Sequence, residues 1–450
     1  MGNALLTGAR PGLARLSAAL LAALWIAELV RIVRPSGALS LAAETALAAF
    51  IALALLRASA HIRLLFVVVV GISAILAWRD HVPAALAHGF DRAQIFAAFL
   101  PSVLFLRATA ESSPRLEQLR GGLRALDPAA ARNWTLYGAH ALGSVLNVGA
   151  MSIVAPAVAR DASAAQRVEL ASSSARGVGT AVMWSPFFVA IGFTSQLVPG
   201  VAIWQVMAVG AGLALIGLAL SHGLFTPSLG AAAFGSSMAQ LRPLVAPISI
   251  VIAAVVAASA ALHLTGLEAV AIMVPLCCVA YLAHLGADAA RDAARRTLAS
   301  FGRLADELLI VAGATILAAV VAALPSARAI GADLTPGLIS GFALMAVLVA
   351  ALVALGLAGL HPMIGAGILL PAIAAGPFDI CHAVLVATAV FAWGLSSSIS
   401  MWTLPIVAAS VSFNVPVREL MSRRSLAFGL LYGVAGVLYL GAVNAFCAAP

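Results

Sequence analysis

The chain has 450 residues, 63% of them apolar and only 9% charged, with a mean hydropathy of +1.08. A soluble domain carries roughly a quarter of its residues as charges, so a soluble fold is excluded. All 25 basic residues are arginines and the formal net charge is +8; in a membrane chain this excess reflects basic cytoplasmic loops rather than nucleic acid.

At roughly 20 apolar residues per crossing, the length leaves room for about ten or more spans. Lipid offers no partner to backbone N–H and C=O groups, so spans must be helices or a closed barrel. Uncharged runs such as Leu308 to Leu324 decide for helices.

Arg10 and Arg15 precede an apolar stretch from Leu16 to Val30, in the manner of a signal peptide. Arg31 and Arg34 follow directly and no cleavage site intervenes, so a retained first span is expected. Spans are predicted at 14–33, 38–57, 63–79 and 92–107. Segment 113–128 is polar but patterned: Ser113 can cap a helix with Pro114 at its first position, and Asp127-Pro128 ends it. Leu116, Leu119, Leu123 and Leu126 share one face, which predicts a short amphipathic helix on the inner membrane surface.

The apolar stretch 133–159 follows, interrupted at Asn147 and running into Pro156. Further spans are predicted at 175–198, 200–221, 243–263, 265–285 and 306–324. A second interrupted stretch, 338–376, contains His361-Pro362 and runs into Pro371; spans at 380–412 and 422–445 complete the chain. Gly429-x-x-x-Gly433 in the last span is expected to serve close helix packing. Cys277 and Cys278 lie in an apolar run and are expected to pack, while Cys381 and Cys447 give only a weak case for a disulfide.

With the N-terminus inside, 20 arginines, Arg176 among them, fall in inner loops; Arg31, Arg34, Arg79, Arg92 and Arg328 fall outside. This bias predicts a multi-pass bacterial inner-membrane protein with a cytoplasmic N-terminus and a periplasmic C-terminus. Arginine clusters flank 133–159 on both sides, so that segment is expected to enter and leave by one face as a re-entrant hairpin.

A duplication is visible in the sequence. Met183-Trp184-Ser185-Pro186 matches Met401-Trp402-Thr403-Leu404-Pro405, and Leu146-Asn147-Val148 before Pro156 matches Leu360-His361-Pro362 before Pro371. Measured from the first residue of each motif, the offsets are 214 to 218 residues. Five crossings per half would make the halves inverted. The expected fold is an all-α polytopic membrane protein of about eleven transmembrane helices plus two re-entrant hairpins in two inverted repeats. The expected division is an extra span at 1–37, repeat 1 at 38–221 with its hairpin at 133–159, a connecting loop at 222–242, and repeat 2 at 243–450 with its hairpin at 338–376.

This layout resembles the ion transporter superfamily, in particular the divalent anion:sodium symporters. The resemblance implies opposed hairpins holding substrate and sodium at Ser-Asn-Thr tips, and a mobile transport domain moving elevator-fashion against a dimeric scaffold. Here the first tip carries Asn147 of that motif, and Leu360-His361-Pro362 carries none of it.

Candidate substrate- and ion-binding residues follow from the breaks. Asn147, with Gly149 beside it, is either a ligand to substrate or cation or a local turn cap. His361 is a candidate proton carrier or anion donor. Ser396, Ser397, Ser398 and Ser400 precede Trp402-Thr403 inside an apolar span, and the three in a row are expected to be unwound and ligand-facing. Ser185 and Thr403 are expected to be repeat partners. Trp184 and Trp402 are expected to pack, and His140 is a weaker candidate. No Asp or Glu lies at the four breaks, which favours an anionic or neutral polar substrate over a cation.

The leading expectation is a secondary active transporter of a small organic anion, a symporter driven by H+ or Na+, with no cofactor beyond Na+ as a coupling ion. The alternatives are the membrane subunit of a transporter dependent on a periplasmic binding protein, or a cation/proton antiporter of the same fold. The expected partners are the lipid bilayer, a small-molecule substrate and a second copy in a homodimer, with no nucleic acid. An enzyme is not expected: the chain holds no His-Glu-x-x-His, no Gly-x-Ser-x-Gly and no paired aspartates on its spans.

Overall fold

The computed structural model describes residues 11–123, 126–158, 161–225, 231–302, 304–326, 329 and 340–447. Arg10, Arg124, Arg160, Arg303 and Arg328 of the arginine pattern lie outside the described residues, as do position 159 of the first expected hairpin and positions 338–339 of the second.

The described chain is helical, without a strand. In order come α1 (Pro11–Val33), α2 (Gly37–Arg57), α3 (Ala60–Arg79), α4 (Ala84–Ala93), α5 (Phe96–Glu111), α6 (Pro114–Leu123), α7 (Pro128–Leu146) and α8 (Ala150–Val154). Then follow α9 (Ala164–Ala181), α10 (Val189–Leu197), α11 (Ile203–Phe225), α12 (Ala231–Ala239), α13 (Arg242–Ala261), α14 (Gly266–Leu285), α15 (Ala287–Phe301) and α16 (Leu304–Ala323). The last are α17 (Gly341–Leu357), α18 (Pro362–Ala374), α19 (His382–Ile399), α20 (Leu404–Phe413), α21 (Val417–Leu420) and α22 (Arg423–Cys447).

Among the described residues, eleven segments are long and apolar enough to cross a membrane. The expected crossing at 175–198 is not one of them. A capping box, Ser163 with Gln166, starts a helix at Ala164, and that helix carries Arg167, Glu169 and Ser172 to Ser174 before it breaks. Pro128–Ala157 qualifies by length and composition, yet it does not run straight through, as its packing shows below.

Two compact units make up the chain: Met1–Ser112 with Leu267–Ala327, and Ser113–Gly266 with Arg328–Pro450. In the first unit, α4 lies so close to α16 that a Cβ on Gly89 would stand 2.7 Å from Ile316 Cα. Buried Glu28 pairs with Arg31 at 2.9 Å, and Arg31 reaches Asp91 at 3.6 Å. The amphipathic α15 rests on α5 through Ala293, Leu282 and Ala108. Ser112 donates to Asp292 at 2.8 Å and Arg296 bridges Asp292 and Glu111. The hydrogen bonds from Arg296 and Ser112 hold the Asp292 carboxyl below its ordinary range.

In the second unit, α6 buries Leu116, Leu119 and Leu123 as its pattern predicts. Asp127 does not terminate that helix; it caps the next one, accepting from Ala129 and Ala130 N–H at 2.9 Å with Pro128 at the first helical position.

Residue pairs fix the helix directions in this unit. His140 meets Thr180 and Ser144 meets Ser185, so α7 and α9 run parallel. The chain between them must therefore turn back, and 155–157 pack against both α7 and α6. Likewise Gly341 lies against Asp379 and Gly356 against Ser396, so α17 and α19 are parallel with α18 folded back between them. Arg176 meets Ser221, Gly217 meets Thr180 and Gly210 meets Met183, so α11 is antiparallel to α9. Gly429 meets Ile399 and Gly436 meets Phe391, so α22 is antiparallel to α19, and the glycines at 429 and 433 pack closely as expected. Finally α9 and α19 cross antiparallel, Gly179 against Ser398 and Gly394 against Met183.

The second fold-back is closed by a Schellman turn: Leu360 N–H bonds Leu355 O and Gly359 N–H bonds Gly356 O, with Gly359 at φ +88°. A Cβ there would meet only the Trp402 ring, at 3.6 Å. The cost of Gly359→Ala is therefore conformational, about 1 kcal/mol. Its melting temperature is expected to fall measurably, and an unchanged value in differential scanning fluorimetry would refute the turn.

Candidate functional site

The two sets of elements converge where α9 and α19 break. After Ala181 the chain leaves the helix for residues 182–188 and resumes as α10; after Ile399 it leaves for 400–403 and resumes as α20. Pro186 and Pro405 stand at these interruptions; a proline inside a helix removes a donor and clashes with the preceding turn. Each short helix then packs on the other set: α10 on α18 and α19, α20 on α8, α9 and residues 147–149.

A serine in each break holds a carbonyl near the end of the helix that runs parallel to its own, α7 or α17. Ser185 Oγ, fully buried, donates to Ser144 O near the end of α7. Ser400 Oγ, also buried, donates to Gly356 O near the end of α17 at 3.0 Å. Position for position Ser185 aligns with Thr403, but in hydrogen bonding its counterpart is Ser400. Thr403 Oγ1 instead closes its own loop, reaching Ser397 O and Ser400 O at 2.8 Å.

The tips carry the two predicted polar residues, in different chemical states. Asn147 sits at φ +54°, ψ −139°, a region open essentially to glycine and costing a side-chain-bearing residue about 1–3 kcal/mol. Its Oδ1 accepts from Val148 N–H at 2.8 Å, so the oxygen is a turn cap and the amide NH2 is the group left for a ligand. Gly149 is buried behind it, its carbonyl accepting from Ser152 at 2.8 Å.

His361 caps α18: Met363 N–H donates to Nδ1 at 3.3 Å. An N–H can only donate, so Nδ1 is an acceptor and the ring proton sits on Nε2. The ring stands edge-to-face with Trp393 at 5.5 Å. His361 is thus set up as a neutral donor.

Ser396, Ser397 and Ser398 are not unwound, contrary to expectation. They form the last turn of α19; Ser396 Oγ bonds Trp393 O and Ser398 Oγ bonds Gly394 O, each at 2.9 Å. Back-bonding within the turn satisfies a hydroxyl without opening the helix, so the break falls after Ile399.

Two groups are more prominent than the sequence indicated. Trp184 Nε1 donates to His140 Nε2 at 3.2 Å, which puts the His140 proton on Nδ1, facing Thr180 Oγ1 at 3.0 Å; Thr180 in turn donates to Gly177 O at 2.8 Å. A chain of donors therefore runs from the first break into α9, and Trp184 is more than packing. Arg176 is no inner-loop residue: it lies inside α9, 5% exposed. The capping box Ser163-x-x-Gln166 was the available signal, because it starts the helix early enough to enclose Arg176. Cys381 and Cys447 are free thiols. Among the described residues no group of His, Cys, Asp or Glu could hold a metal ion.

Helices of this length, apolarity and lipid-facing character define a polytopic all-α membrane protein. No protein-family model and no curated protein matches the chain. Solved structures do: the YdaH transporter of Alcanivorax borkumensis aligns over 85% of this chain and 97% of its own, at 13% identity and a TM-score of 0.48. MtrF of Neisseria gonorrhoeae, described among antimetabolite efflux pumps, aligns over 76% of this chain and 80% of its own, at 14% identity and a TM-score of 0.43. Likeness this distant leaves function to the chain's own geometry.

Proposed function

We propose that the chain is a secondary active transporter whose second unit binds a small organic anion between the two hairpin tips and the two breaks. The observation that carries this reading is the pair of broken antiparallel helices, each tied by a serine to a carbonyl of its own hairpin. Irregular backbone at membrane depth persists only where protein or a watery cavity satisfies it. Paired interruptions in corresponding places mark the substrate site of inverted-repeat transporters.

The donors fit an anion. The Asn147 amide and His361 Nε2–H are both neutral donors, the breaks hold no carboxylate, and α10 and α20 begin without a side-chain cap, leaving positive helix ends toward the breaks. In this reading the folded-back segments are re-entrant hairpins of an inverted repeat, and together with segments 175–221 and 380–445 they form the mobile transport domain of an elevator-type homodimer. H+ or Na+ supplies the coupling, and the N-terminus is cytoplasmic in a bacterial inner membrane.

The test starts from melting of the purified protein against carboxylates, phosphate, sulfate and divalent cations, with and without sodium at two pH values. One anion class is expected to stabilise it by mass action. Proteoliposome uptake of that anion is then expected to drop to background in Asn147→Gly, which accepts the tip backbone without strain, and in His361→Ala. Stabilisation by cations alone, or wild-type uptake in both variants, would overturn the reading.

A further inference from the structure

Among the described residues, Arg176 is the arginine of the second unit that the fold buries, at 5% exposure. Its Nε donates to Ser221 Oγ at 2.7 Å, and its guanidinium lies 5.2 Å from the Phe225 ring centroid and 5.6 Å from that of Phe428. Ser221 and Phe225 come from α11 and Phe428 from α22. Two aromatic faces and one hydroxyl therefore hold the group in a fixed plane.

What the site lacks is a counter-charge. Among the described residues no carboxylate lies within salt-bridge distance, and Nε alone has a protein acceptor. Glu169, two turns earlier on the same helix, is the acid that acts on it through space. Taking an unpaired ion out of water costs several kcal/mol, and a fold tolerates this where a ligand brings the opposite charge. The surroundings point the same way. The rings of Tyr137 and His222 meet at a tilt of 51°, with centroids 5.8 Å apart, and His222 Nδ1 is buried without a partner. Arg176 and Thr180 lie one turn apart on α9, and Thr180 faces His140, which Trp184 reaches from the first break.

We propose that Arg176, positioned by Ser221, Phe225 and Phe428, is a carboxylate-binding residue that takes the charged group of a bound anion. The planar fork of a stacked arginine matches a carboxylate through two parallel N–H donors. This rests on the transport reading for its substrate but concerns binding alone.

The experiment uses the full-length protein in nanodiscs, at constant ionic strength. Acetate is the probe, acetamide its neutral isostere, and inorganic phosphate stands for a lipid phosphate. Affinity is read from thermal shift and tryptophan fluorescence. Wild-type protein is expected to bind acetate and not acetamide. Arg176→Gln is expected to weaken acetate by roughly thirtyfold or more, while Arg176→Lys keeps part of the affinity.

Should the Gln variant fail to fold, Ser221→Ala, which releases one side of the fork, is expected to weaken acetate without abolishing it. Full acetate affinity in Arg176→Gln, equal binding of acetamide, no response of the wild type to acetate, or a preference for phosphate would each overturn the proposal. Acetate binding through Arg176 in a protein that moves no anion would refute the transport reading and leave this one standing.

Discussion

Gly210→Ala is expected to lower the melting temperature sharply and, under the proposed transport function, to abolish uptake. A Cβ at Gly210 of α11 would run into the carbonyl of Met183, with Trp184 Cα at 3.1 Å. Both belong to the backbone of the first break, so no rotamer change can relieve the clash. The helix and the break must part. Overpacking of a tight contact costs about 1–3 kcal/mol, and a collision between two main chains belongs at the upper end. The same shift would draw Trp184 from His140 and loosen Ser185 from Ser144.

Gly223→Ala on the same helix is the control, because a Cβ there meets nothing within 4 Å. It is expected to stabilise the helix by about 0.5–1 kcal/mol. Opposite signs in circular-dichroism melts of the two variants are the expected result. A Gly210→Ala protein that melts like the wild type would show that the break does not rest on α11.

Much of this architecture could be read from the sequence because the bilayer imposes one rule on every span. Uncharged runs give the crossings, and the prolines at 186 and 405 mark the breaks whatever surrounds them. The turns at Asn147 and Gly359 fall where the apolar stretches are interrupted. Hidden from the sequence was anything decided by how helices cross. Trp402-Thr403 aligns with Trp184-Ser185, yet it is Ser400 that reaches the hairpin, because the contact depends on where α17 ends beside α19. Ser396 to Ser398 looked unwound only because three hydroxyls in an apolar run need acceptors, and the preceding turn supplies two of them. Arg176 looked like a loop residue because arginine in a hydrophobic chain usually is one; two phenylalanines from distant helices make the exception.

The two serine ties are expected to be unequal, and the inequality tests whether they work as described. Ser144 O lies in the last turn of α7, where carbonyls lack helical partners. The N–H that would reach it from four residues on belongs to Val148, which donates instead to Asn147 Oδ1. Ser185 Oγ is therefore the donor that satisfies it, and Ser185→Ala leaves a buried acceptor without that bond, a loss of about 1–3 kcal/mol. Gly356 O keeps the Gly359 N–H of the Schellman turn when Ser400 is removed, so Ser400→Ala is expected to cost only about 0.5–1.5 kcal/mol.

The double variant then separates two pictures. If each tie merely supports its own hairpin, the two losses add to within about 0.5 kcal/mol. If hairpins and breaks act as one body, as a transporting unit requires, the first substitution already loosens the partner and the sum falls short. Equal single effects in denaturant melts would refute the assignment of hydrogen bonds. Strict additivity, together with unimpaired uptake, would refute a concerted role for the breaks.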